Sequence, residues 1–179
     1  MKSRLVFALL FVSASASAAP PSSLTPLLNS IAERLEIGEQ VALSKWDSHK
    51  AVEDRQREQD VIASVVNQAP NYKLPPAAAE QFFSAQIEAN KLVQYTLLSD
   101  WQFQGKAPDT PRPDLVKQIR PQLDQLQKRL LKQLADFTPH RTDPQCQQWV
   151  SQAVHEPQND PMRQLAMIRA TAELCIYKG

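Results

Sequence analysis

Glycine is scarce in this chain, with three residues in 179, and cysteine scarcer still, with two. Few glycines leave little room for the tight loops whose backbone cradles phosphates. Neither GxGxxG nor a P-loop signature occurs, so the usual nucleotide-binding readings fall away. HExxH, GxSxG and CxxC are missing as well, which removes the familiar zinc-hydrolase, serine-hydrolase and dithiol redox signatures. The three histidines, His49, His140 and His155, are scattered near expected helix ends and gather into no ligand set. The sequence therefore carries no metal or cofactor signature.

A strong charge of one sign is absent too. The formal net charge is +1, and a near-neutral chain has no electrostatic footprint for nucleic acid. The apolar run from Leu5 to Val12 is too short to span a bilayer. It follows Lys2 and Arg4 and leads into small residues ending in Ala16-Ser17-Ala18, the three-part layout of a secretory signal cleaved after Ala18. Its removal takes away two cations and no acids, bringing the net charge from +1 to −1. The expectation is a periplasmic or secreted protein of residues 19–179, one domain in size, without stable membrane association once the signal is gone. In such an oxidising compartment Cys146 and Cys175 are expected to form a disulfide.

What is plentiful is helical periodicity. Period-2 alternation of strand length is hard to find, whereas apolar residues recur every three to four positions over long stretches. The reading is all α: a single-domain bundle of about six helices. The first runs from a cap at Ser22 or Ser23 to about Ser48, the second from near Asp54 to before Pro70, and the third from about Pro76 to Trp101. Pro108, Pro111 and Pro113 make 105–113 a loop. A fourth helix starts at Pro121 and ends near Phe137, with Leu123, Leu126, Leu130 and Leu134 on one face. The helices at about 22–137 form the main body. Two shorter helices, about 144–155 and 160–177, make a C-terminal region, 143–177, stapled by the disulfide.

Polar residues interrupt the stripes that should be core. In the first helix the seam reads Leu27, Ile31, Arg34, Gly38, Val41, Lys45. Eleven residues separate Arg34 from Lys45, and eleven steps of about 100° return to nearly the same face. In the third helix the stripe Phe83, Ile87, Asn90, Gln94, Leu97, Trp101 sets two amides one turn apart. Buried cations and amides persist only with compensation, which a small anion between the helices would supply. Taken singly, each of these residues also fits a snorkelling side chain or a hydrogen bond between helices. Together they point to a pocket for an anionic, oxygen-rich ligand, and periodicity carries no further.

The stretch Ala32–Glu58 resembles the all-helical AroQ class of chorismate mutases, whose signature is Arg, Lys eleven later, Asp nine after that, then Arg-Glu. Here these are Arg34, Lys45, Asp54, Arg57 and Glu58. The segment QIEANKLVQYTLLSDW at 86–101 is similar to that class again. The Lys-Trp pair, the signal and the C-terminal cysteines resemble its exported gamma subclass. The resemblance implies the type II chorismate mutase fold, a homodimer, no cofactor, and an isomerase that rearranges chorismate to prephenate. It implies that Arg34, Arg57 and an arginine of the fourth helix, placed at Arg129, clamp the substrate's two carboxylates. Lys45 and Gln94 would donate to its ether oxygen, Glu58 and the backbone at Asp54 would hold its hydroxyl, and Asn90 would assist a carboxylate. Two rivals share the helical pocket: an isochorismate pyruvate-lyase, and a non-catalytic periplasmic binding protein.

Overall fold

The computed structural model describes residues 19–155 and 160–176, so the signal expected at 1–18 lies outside the described residues. Among those described there is no strand, and six α-helices follow one another: α1 (Leu24–Ser48), α2 (Arg55–Gln68), α3 (Pro76–Gln104), α4 (Arg120–Phe137), α5 (Cys146–His155) and α6 (Pro161–Thr171). No helix is long and apolar enough to cross a membrane, among the described residues. Long α3 lies along both α1 and α6. Helix α4 packs on α1, α2 on α3, and α5 on α6.

The apolar stripes fill the space between these helices. Leu27, Ile31 and Leu35 of α1 meet Phe82, Phe83 and Ala89 of α3 and Leu126, Leu130 and Leu134 of α4, all buried in one core. Each such Leu or Phe contributes roughly 1.5–3 kcal/mol by leaving water. A second, smaller cluster forms at the other end of α1, where Ala42 and Leu43 pack with Trp101, and Trp46 meets Trp101 edge to face with ring centroids 6.1 Å apart. Along one face of α1 the apolar packing opens from Arg34 to Lys45, where Arg34, Val41 and Lys45 line a gap. That gap is where the fold leaves room for something other than side chains.

Helix ends differ from expectation where tertiary contacts decide them. Ser23 precedes α1, but its own backbone is already helical and its hydroxyl makes no capping bond. Instead the Leu24 N–H donates to the Pro21 carbonyl at 3.0 Å. Helix α3 runs three residues beyond Trp101, to Gln104, and stops at Gly105, whose φ of 74° closes the helix in the left-handed region. A π-helical turn at Leu115–Ile119, capped by Asp114, leads straight into α4, so Pro121 falls inside a continuous helical run. Proline has no N–H and its ring crowds the carbonyl one turn back, and a widened turn relieves both problems. Helix α6 ends at Thr171, short of the expected 177. Buried Arg141 explains this stop: its guanidinium donates to the carbonyls of Leu174 and Glu173, and its own carbonyl accepts from Ile176.

The Cys146–Cys175 disulfide is present and joins the start of α5 to the segment after α6, closing 29 residues. In the chain-entropy account a loop of that length contributes about 3.5 kcal/mol. Replacing both cysteines by serine is therefore expected to lower urea stability by about that amount with helix content retained. An unchanged urea midpoint would show that the C-terminal region is held without the bridge.

Candidate active site

The polar stretch of α1 opens onto a cleft walled by α2, α3, the π-turn and the first turns of α4. The cleft encloses about 800 Å³ including its mouth, a size suited to a small organic ligand. Arg34 and Lys45 both line it, as the eleven-residue spacing requires, and so do Asp54, Arg57, Glu58, Asn90 and Gln94. The structure thus brings together seven of the eight side chains expected there.

Arg34 is the most deeply placed cation of the cleft, 7% exposed. Its Nε is buried without a hydrogen-bond partner. Burial first, and then the neighbouring charge of Arg57, push its pKa down from 12.5 to about 10. Lys45, part-buried, has its pKa lowered chiefly by desolvation, with Asp54 and Glu58 pulling the other way and Lys50 and Arg120 adding to the fall. Arg34 remains a cation at neutral pH.

The start of α2 is fixed by a reciprocal cap. The Asp54 carboxylate accepts from the Arg57 N–H at 3.2 Å, and Glu58 Oε1 accepts from the Asp54 N–H at 3.3 Å. The other Glu58 oxygen accepts from Lys91 Nζ of α3 at 2.9 Å. Arg57 reaches across the cleft to donate to Asp124 Oδ1 of α4 at 3.1 Å.

On α3, Asn90 spends its amide N–H on the backbone carbonyl of Arg34, at 3.1 Å. It therefore holds the α1 backbone rather than offering that donor to a ligand. Gln94 Nε2 donates to the Asn90 carbonyl at 3.3 Å, while its Oε1 is buried with no partner. The two ends of an amide are nearly alike in shape, so a half-turn of the side chain presents the N–H₂ to the cleft instead.

Arg129 does not join this group. It is exposed and ion-paired to Glu33 on the outer side of the bundle. The fourth-helix arginine at the cleft is Arg120. Nine residues separate the two, and nine steps of about 100° amount to two and a half turns, so they project from opposite faces of α4. Starting the helix at Pro121 left Arg120 outside it. Its spacing to Leu123 and Gln127, which share the cleft wall, was the signal that could have found it. Lys91 and Asp124 are cleft residues that periodicity also missed.

The charges can be counted. Arg34, Lys45, Arg57, Lys91 and Arg120 face Asp54, Glu58 and Asp124, five cations to three anions, an excess of two. All three carboxylates already have partners in the helix cap and the two ion pairs. Arg34, Lys45 and Arg120 make no ion pair among the described residues. The arrangement suits a small dianion gripped by planar guanidinium forks, with an ammonium and an amide over its middle.

Comparison with known proteins leads to one family. The sequence profile of the family described as chorismate mutase type II matches residues 25–95. The chain is 30% identical to the secreted chorismate mutase of Mycolicibacterium smegmatis, over 89% of this chain and 90% of that one. It is 32% identical to the secreted chorismate mutase of Yersinia pestis, over 70% and 65%. The crystal structure of chorismate mutase from Burkholderia phymatum superposes with a TM-score of 0.82 at 42% identity, covering 87% of this chain and 97% of that one.

Gly38 sits at a close approach of α1 and α3, because a Cβ there would lie 2.5 Å from Asn90 Oδ1. Gly38→Ala is expected to cost about 1–3 kcal/mol by displacing Asn90 from the Arg34 carbonyl. In an Asn90→Ala background the same change should cost clearly less, since the obstacle is gone. Equal losses in both backgrounds, read by urea unfolding, would sink this account.

Proposed function

The chain belongs to the type II chorismate mutase family and is a chorismate mutase, and we propose that the cleft between α1, α2, α3 and α4 is where chorismate rearranges to prephenate. Chorismate is a dianion bearing an allyl vinyl ether. Its Claisen rearrangement needs the flexible molecule folded into a chair, with C–O cleavage running ahead of C–C formation. No proton has to move. Catalysis then consists of holding the reactive conformer and meeting the negative charge that grows on the ether oxygen.

Arg34, Arg57 and Arg120 take the two carboxylates in this reading. Lys45 and Gln94 donate to the ether oxygen, and Glu58 accepts from the ring hydroxyl. Asp54 fixes the start of α2 so that Arg57 and Glu58 face inward. Asn90 acts through the Arg34 carbonyl that it holds. Buried Arg34 carries the argument: its unpaired Nε and depressed pKa mark a charge whose compensation the chain itself does not provide. A bound carboxylate provides it.

Export belongs to the same proposal. Two relatives are named as secreted proteins, and the order of charge, apolar run and small residues in 1–18 supports a leader removed after Ala18. Assembly as a homodimer is supported by the likeness to the exported subclass. N-terminal sequencing of the exported protein should give Ala19, and light scattering should give twice the chain mass. An intact Met1 or a monomeric mass would overturn the respective assignment.

The two ether-oxygen donors are separable by mutation. Lys45→Ala should abolish loss of the chorismate ultraviolet absorbance while helical circular dichroism persists, because the donor is needed mainly in the transition state. Retention of a tenth or so of the activity would remove Lys45 from its role. Gln94→Glu should confine activity to acid pH, where the introduced carboxyl is protonated and can still donate. A flat profile across neutrality would show that residue 94 does not face the ether oxygen.

The alkaline side is governed by the cations. Both Arg34 and Lys45 have lowered pKa values, so each loses its proton at lower pH than an ordinary side chain would. In the free enzyme kcat/KM should therefore fall as pH rises toward about 10. The bound dianion favours the protonated forms, so the fall in kcat should come at higher pH. Coincident limbs for kcat and kcat/KM would refute the link between these cations and the substrate.

A further inference from the structure

Lys91 has no part in the scheme above, yet it stands in the cleft wall, one residue after Asn90 and three before Gln94 on α3. Its Nζ donates to Glu58 Oε2 at 2.9 Å, and the two side chains are 24% and 25% exposed. With the other Glu58 oxygen held by the Asp54 N–H, the carboxylate is pinned at both ends. Neither group is used up. Each carboxylate oxygen has a second lone-pair site, and the ammonium has two further N–H bonds.

The pair is electrically neutral as a unit, so it adds nothing to the excess of two positive charges that matches the dianion. For a part-buried ion pair the lost hydration offsets much of the attraction, so its net contribution to stability is small. What it offers a ligand is a donor and an acceptor side by side. A hydroxyl is the group that uses both, donating its proton to one partner and accepting from the other. A lone carboxylate would read only the donor half, and would welcome an amine equally well. The hydrogen bond to Glu58, the largest influence, raises the Lys91 pKa, which keeps the ammonium charged throughout the neutral range.

We propose that Lys91 is a specificity-determining residue which, paired with Glu58, recognises the ring hydroxyl of the substrate as both donor and acceptor. The proposal rests on the mutase reading above. It assigns Lys91 to the hydroxyl and away from the carboxylates and the ether oxygen. Substitution should then weaken chorismate more than a ligand that lacks the hydroxyl.

The test compares two substrates in the whole protein: chorismate, and its analogue with hydrogen in place of the ring hydroxyl, which keeps both carboxylates and the allyl vinyl ether. Lys91→Met should lower kcat/KM for chorismate by about tenfold or more beyond its effect on the analogue, which shares the loss of one positive charge from the cleft but has no hydroxyl whose charge-assisted hydrogen bond can be lost. Lys91→Arg should restore part of the loss on chorismate, and circular dichroism should show all variants folded. An equal loss on both substrates, or none on chorismate, overturns the assignment of Lys91 while the wild-type protein still makes prephenate. A wild-type protein that leaves chorismate unchanged overturns the mutase reading and this inference with it.

Discussion

Burial of Arg34 inside the helical seam is the constraint around which the cleft is arranged. A guanidinium at 7% exposure would cost several kcal/mol if nothing answered its charge. It is held in place by apolar clusters on both sides, Leu27, Ile31 and Leu35 below and Ala42, Leu43 and Trp101 above. Asn90 locks the adjoining backbone from α3, and Gly38 makes the close approach of the two helices possible. Packing supplies the energy, and the polar gap uses part of it to hold a charge ready for an anion. In the proposed scheme this is preorganisation in the sense that matters for a unimolecular rearrangement: the cations are in place before charge develops.

Two further walls of the cleft are built from helix starts, those of α2 and α4. The cap at Asp54 sets the rotation of the first turn of α2, which turns Arg57 and Glu58 inward together. The π-turn before α4 does the same for Arg120 by fixing where the regular helix starts. The segment between α3 and α4 is anchored to α1, with Arg112 donating to Asp47 at 2.8 Å and to the Pro108 carbonyl at 2.9 Å. It delivers Leu115 to the cleft wall. Helix termini suit this work because their backbone is already oriented and their side chains fan out from a fixed point.

The C-terminal region buttresses the same helices from another side. Helix α6 packs along α3 and α1, and Gln86 of α3 donates to the Ala170 carbonyl at 2.7 Å in the interior. The disulfide and the Arg141 clamp then tie the segment after α6 to the start of α5 and to the turn before it. None of these groups touches the cleft. Their connection to the cleft runs through α3, which carries Asn90, Lys91 and Gln94.

Within one helix the sequence determined a great deal. A period of 3.6 puts Arg34 with Lys45 and Asn90 with Gln94 whatever the surroundings, and the Asp54 cap and the family spacing to Arg57 and Glu58 are equally local. Compartment and cysteine count sufficed for the disulfide. Between helices it determined much less. Whether α4 offers Arg120 or Arg129 depends on the phase that the π-turn imposes ahead of Pro121, and a shift of nine residues reverses the face. The Arg57–Asp124 and Glu58–Lys91 pairs, and the use of the Asn90 amide on the Arg34 carbonyl, join residues 33 to 67 positions apart. Their existence depends on how far one helix slides and rotates against another. That is set by the summed packing of many core side chains, and no short stretch of sequence encodes it.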